Sequence, residues 1–169
     1  MTCLITFTCY GCHLHGDKSG SVDREHKPPG SPALDADPAR IAAENERMDQ
    51  PPYHLDHVRR VAVLEAIQEV CSHRRWNLLA AHVRTNHVHT VVEAEVPPEQ
   101  AMHDFKAYAS RRLNRLALDQ PGRKRWTRHG STRWLWKPEQ VSAAIQYVVS
   151  EQGAAMSVFE GSNRSQLVK

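Results

Sequence analysis

The chain has 169 residues, of which 40% are apolar and 24% charged, with 22 Lys and Arg against 19 Asp and Glu. That length suits one compact domain burying roughly 70% of its unfolded surface, so a core needs neither disulfides nor a structural metal. No apolar run approaches the roughly 18 residues of a membrane span, and no charged leader or cleavage site accompanies the first apolar stretch, so a cytoplasmic protein with reduced cysteines is expected.

Residues 2–10 are rich in Thr, Ile, Phe and Tyr and predict a strand. An insertion dense in proline, glycine and charge follows at about residues 17–52, reading as a long loop with a helical piece between Pro38 and Met48. Asp56 is placed to cap a helix whose apolar stripe is Val58, Val61, Leu64, Ile67, Val70 and Cys71. Two strands are predicted next, Trp76–Val83 and His87–Ala94, joined tightly through Arg84, Thr85 and Asn86. Pro97 and Pro98 open a second helix from about Glu99 to Leu118, stopped by Pro121 and Gly122. Thr132–Trp136 reads as a short strand, and Pro138 starts a third helix running to Gln152 before Gly153. This order predicts an α+β fold, a ferredoxin-like antiparallel sheet with helices packed on one face. One domain is expected over residues 1–153, with residues 154–169 as a C-terminal tail.

The net charge of +3 conceals a strong segregation. Residues 102–137 hold ten basic side chains against two acidic ones, a local +8 that leaves −5 elsewhere. Lys106, Arg111, Arg112, Arg115, Arg123, Lys124, Arg125 and Arg128 are therefore candidate phosphate-binding residues, with Trp126, Trp134 and Trp136 as possible base-stacking rings. The plainer reading is a solvated basic helix face.

The most specific pattern is Asn86-His87-Val88-His89. Residues two apart on a strand share a face, so His87 and His89 project together and can offer a divalent cation two ligands on a rigid element. In the third helix, Val141, Ala144, Ile145 and Val148 form the buried stripe, while Tyr147 and Glu151 lie one turn apart on its flank. A phenol there can serve as nucleophile and a carboxylate as metal ligand; a tyrosine at the core rim beside a solvated glutamate is the alternative.

His87-Val88-His89, the segment Phe105–Asn114 and the helix from Ile145 to Glu151 together resemble the single-tyrosine HUH transposases. Within that family they look most like the REP-associated tyrosine transposases, relatives of the smallest insertion-sequence transposases. The opening Phe7-Thr8-Cys9-Tyr10-Gly11 with Leu14-His15-Gly16-Asp17 is similar to the start of that subgroup, although two cysteines in Cys9-Tyr10-Gly11-Cys12 depart from it. The resemblance implies the HUH endonuclease fold and a metal-dependent DNA endonuclease and strand transferase acting on single-stranded or hairpin DNA, as a monomer or homodimer. Carried over by position, Tyr147 is the nucleophile that forms a 5′-phosphotyrosine, and His87, His89 and Glu151 are ligands of Mg²⁺ or Mn²⁺. Gln152, next to Glu151, is the rival third ligand.

Several alternatives use the same residues. Tyr108 sits among the basic residues of the second helix and is the competing nucleophile, though no carboxylate follows one turn later. Cys9-Tyr10-Gly11-Cys12-His13, with His15 near, fits a c-type haem attachment pattern and offers zinc ligands. A nucleic-acid-binding module that no longer cuts, and a metal-dependent hydrolase of small phosphoesters, are the competing functions.

Overall fold

The computed structural model of the chain describes residues 1–12 and 38–162. His13, His15, Gly16 and Asp17, most of the insertion and the end of the tail lie outside the described residues. The elements are β1 (Thr2–Cys9), α1 (Pro38–Arg47), α2 (His57–Arg74), β2 (Asn77–Val83), β3 (His87–Glu93), α3 (Pro98–Arg115), β4 (Trp126–Leu135), α4 (Pro138–Ser150) and β5 (Ser157–Glu160). The helical piece expected after Pro38 is thus present as α1.

The five strands form one antiparallel sheet in the order β4-β1-β3-β2-β5. Its α+β class is the expected one, but the helices occupy both faces rather than one. The strand period of two explains this. Cys3, Ile5, Phe7 and Cys9 of β1 and Val88 and Val92 of β3 point to a core shared with α2 and α3. Leu4, Ala80 and Val91 point the other way and are covered by Ala144 and Val148 of α4, with Val141 and Ile145 beside them. Because β1 and β3 carry apolar side chains on both faces, a single layer of helices would leave one set in water.

Asp56 caps α2 as expected, its carboxylate accepting from the Arg59 N–H at 2.9 Å. The buried face of α2 is Ala62, Val63, Ala66, Ile67, Val70 and Cys71, however, and Val58 is 56% exposed. Ala62 and Ala66 on that face let α2 lie close to α3 and the sheet, while Val63, Ile67 and Val70 fill the core.

Two further differences concern the sheet edges. β4 begins at Trp126 rather than Thr132, taking in residues expected to form a basic linker. It is an edge strand with mostly half-exposed or exposed side chains, so it lacks the apolar alternation that marks an interior strand. A Cβ on Gly130 would sit 2.5 Å from both the Thr6 carbonyl oxygen and the Met102 sulfur, so only glycine lets β4 approach there. In the tail, Ser157–Glu160 adds the opposite edge by pairing with β2.

All four cysteines are free thiols. Cys9 is buried in the core and Cys12 donates to the Tyr53 carbonyl at 3.0 Å, so the Cys-Tyr-Gly-Cys segment packs a strand end. Burial raises both thiols above their usual pKa. No helix among the described residues is long and apolar enough to cross a membrane.

Candidate active site

Strand register assembles a polar row on the α4 face of the sheet. Ser131 lies opposite Thr6, Thr6 opposite His89, and His89 opposite His82, so one row runs across β4, β1, β3 and β2. His87 lies opposite Thr8 on the same face. The His87 and His89 rings meet edge to face with centroids 4.8 Å apart, as the two-residue spacing on β3 requires.

Each histidine is oriented by a neighbour. His87 Nδ1–H donates to Asn86 Oδ1 at 2.6 Å, which leaves Nε2 as the lone-pair nitrogen. His89 Nδ1 shares a hydrogen bond of 2.8 Å with the Thr6 hydroxyl. Burial, reinforced by the neighbouring His87, pulls the His89 pKa down to about 4, so this imidazole is neutral at pH 7, as a metal ligand must be.

Tyr147 comes to the same place from α4. Its ring stands edge to face against His89 with centroids 5.5 Å apart, and it is 40% exposed. Glu151, one turn on, is the C-cap residue of α4, which ends at Ser150; its N–H donates to the Tyr147 carbonyl at 3.2 Å while its side chain is exposed. Gln152 turns back instead. Its Nε2 donates to the Tyr147 carbonyl at 3.2 Å, and its side chain also hydrogen-bonds His89.

The turn that carries Gln152 is held by His82 on β2 and by Arg84 just beyond it, neither of them expected at the site from the sequence. His82 is fully buried; its Nε2 accepts from the Met156 N–H at 3.1 Å, so Nδ1 is protonated and donates to the Val148 carbonyl at 3.0 Å. Arg84 donates to the Ala154 carbonyl at 2.9 Å, and Gly153 between them adopts φ +78°. The available signal was a histidine at alternate spacing within the apolar run Leu78–Val83. Replacing His82 by Leu orphans the buried Val148 C=O and the part-buried Met156 N–H and should destabilise the fold by about 2 kcal/mol. Urea unfolding would register this as a lower midpoint, and an unchanged midpoint would show the two bonds to be dispensable.

The predicted basic residues divide differently from the expectation. Arg112 forks to Glu65 and Glu69 at 2.7 and 2.6 Å and clamps α3 to α2, with Arg115 Nη2 4.0 Å from Glu69. Arg125 is buried against Asp119, and Lys124 pairs with Asp49. Arg123 donates to Gln50 and the Pro51 carbonyl. Lys106 donates to the carbonyls of Thr127 and His129, and burial lowers its pKa to about 8. Arg111 lies over the Tyr108 ring at 4.5 Å. Of the eight, Arg128 is exposed on β4, while α3 as a whole packs with α2 on the sheet face opposite Tyr147. Tyr108 belongs to that other face too. Trp126 and Trp134 pack against the same core, and only Trp136, stacked on Trp134, is largely exposed.

Among the described residues no three His, Cys, Asp or Glu side chains gather closely enough to hold a metal ion. Two imidazoles and the amide of Gln152 do converge, and an amide oxygen is an acceptable ligand for a hard cation.

The model of the family described as "Transposase IS200 like" matches residues 53–149, more than half of the chain. The chain belongs to the IS200-like transposase family. The matched span runs from just before α2 almost to the end of α4 and so contains both histidines and Tyr147. A solved structure of a REP-associated tyrosine transposase bound to a REP hairpin is similar over 89% of this chain, with 10% identity and a TM-score of 0.47. This chain spans 65% of the length of that one. No curated protein matches this family member.

Proposed function

We propose that this transposase-family chain is a metal-dependent single-strand DNA endonuclease and strand transferase that cleaves through a 5′-phosphotyrosine, at or beside DNA hairpins. The observation carrying the proposal is the seating of Tyr147 against His89 across two elements that share no local sequence. A tyrosine merely finishing the core rim would have no need of a paired-histidine neighbour.

In this reading His87 and His89 would hold Mg²⁺ or Mn²⁺ with the Gln152 amide oxygen, whose side chain bonds His89, as third ligand in preference to the exposed Glu151 carboxylate. The bound cation supplies Lewis-acid polarisation of the scissile phosphate. Asn86 fixes the tautomer and ring plane of His87, and Thr6 holds the ring plane of His89, the task of outer partners in metal sites. Tyr147 Oη attacks phosphorus, forming the P–O bond to tyrosine while the bond to O3′ breaks. The phenolic proton ends on the departing O3′, leaving a free 3′-OH. One phosphoester replaces another, so rejoining by the reverse step needs no nucleotide cofactor.

Mass spectrometry of the protein incubated with Mn²⁺ and a series of hairpins flanked by short single strands tests the proposal. A tyrosine-linked oligonucleotide on the peptide bearing Tyr147 is expected. Linkage at Tyr108 would overturn the assignment, and binding without any adduct would identify a non-cleaving DNA binder.

The internal partners of the basic residues also set the salt dependence. Arg128, Arg133 and Lys137 are exposed on and after β4, which suggests about three phosphate contacts and a slope near −2 in log K against log salt for single strands. A slope near −4, obtained by fluorescence anisotropy from low to physiological salt, would mean that the three α3 arginines bind DNA as well.

A further inference from the structure

A pocket of about 300 Å³ lies on the outer side of Tyr147, lined by Leu4, Thr6, Ser131, Arg133 and Tyr147. The β1–β4 register creates it. Ser131 opposite Thr6 and Arg133 opposite Leu4 point to the α4 face, and β4 is an edge strand, so the pocket opens past the margin of the sheet. Its lining offers the hydroxyls of Thr6, Ser131 and Tyr147 and a guanidinium, with no carboxylate, which is the chemistry of an anion site. Arg133 differs from the basic residues of α3 and the following loop. It stands on the tyrosine's face of the sheet, it is exposed, and no ion pair among the described residues engages it. The Thr6 hydroxyl joins the pocket to the histidine row through His89.

We propose that this pocket seats a backbone phosphodiester of the single strand next to the scissile one, with Arg133 gripping the phosphate and Ser131 assisting. The proposal deepens the nuclease reading and rests on it for the word scissile. Arg133 lies two residues along β4 from the Ser131–Thr6–His89 row, roughly 7 Å by strand rise, so it serves a neighbouring phosphate rather than the reacting one. A planar fork on a phosphate fixes orientation as well as position, which is what in-line attack by Tyr147 demands.

The test uses the Tyr147→Phe protein and a labelled oligo(dT), so it does not depend on whether the chain cuts DNA. Adding Arg133→Ala should weaken binding about 5–10-fold at low salt and make the log K against log salt slope less steep by about 0.7, the loss of one phosphate contact. Arg133→Gln should repeat both effects, and Arg133→Lys should restore the slope. The penalty should vanish against an uncharged methylphosphonate oligo(dT). Ser131→Leu, which fills the pocket without altering charge, should also weaken binding to the phosphodiester strand. An unchanged slope, an equal penalty on the neutral backbone, or parental binding by Ser131→Leu would each overturn the pocket. Loss of the phosphate effect alongside a Tyr147 adduct in the unmutated protein would leave the nuclease reading standing, whereas the reverse pattern would leave only the pocket.

Discussion

Tyr147→Phe should abolish formation of the covalent DNA adduct and lower the rate of strand cleavage by about 10⁴-fold or more, because removing a nucleophile leaves only positioning and electrostatic terms. The substitution deletes one oxygen from a side chain that is 40% exposed, and the ring can keep its edge-to-face contact with His89. Thermal stability and DNA affinity should therefore stay close to the parent, separating loss of chemistry from loss of fold. Tyr108→Phe provides the contrast. That ring lies beneath the Arg111 guanidinium and beside His73, on the other face of the sheet, and its hydroxyl has no route to the histidine row. Cleavage should persist at near-parental rates. A Tyr147→Phe protein that still cuts with the parental rate would transfer the nucleophile to water and convert the reading into a metal-dependent hydrolase.

What could be read from the sequence was what depends on neighbours within one turn or one strand. Asp56 as a cap, Pro138 at the start of α4, and the shared face of His87 and His89 all follow from periods of 3.6 or 2, and each is found in the structure. The partners of the arginines are a different matter. Arg112 meets Glu65 47 residues away and Arg123 meets Gln50 at a separation of 73, distances over which composition carries no register. A run of positive charge therefore looked like one DNA-facing surface when much of it ties α3, β4 and the end of the insertion together. The choice between Glu151 and Gln152 stayed open for a local reason. The i, i+4 rule that favoured Glu151 is a helical one, whereas the Gln152 bond to His89 depends on the turn after Ser150, which the helical period does not describe. β5 was hidden because four residues of mixed polarity on a sheet edge have neither length nor alternation enough to stand out.

The structural use of that charge predicts the largest effect on stability. Asp119 accepts from the Tyr53 hydroxyl at 2.8 Å, from Arg59 at 2.8 and 3.1 Å, and from Arg125 at 3.0 Å, joining the segment before α2, α2 itself and the loop from α3 to β4. The Arg125 and Asp119 side chains are 6% and 7% exposed. Asp119→Ala leaves the Arg125 guanidinium buried without its carboxylate and should destabilise the protein by about 3–5 kcal/mol, the usual consequence of removing one member of a buried pair. Asp119→Asn keeps an acceptor oxygen and should cost less. Burial by itself would raise the Asp119 pKa, but the hydrogen bonds from Tyr53, Arg59 and Arg125 outweigh it and hold the carboxyl below its ordinary 3.8. A carboxylate whose folded pKa is depressed contributes stability that is complete above the unfolded value and is lost as pH falls through the folded one. Parental stability should thus decline below about pH 3.8 in part through this group, and the Asp119→Asn protein should lack that share of the decline. Urea midpoints collected across this acid range at constant salt would reveal the difference as converging curves; parallel curves for the two proteins would mean that Asp119 titrates as it does in the unfolded chain and that its cluster of donors does not bind the ionised form more tightly.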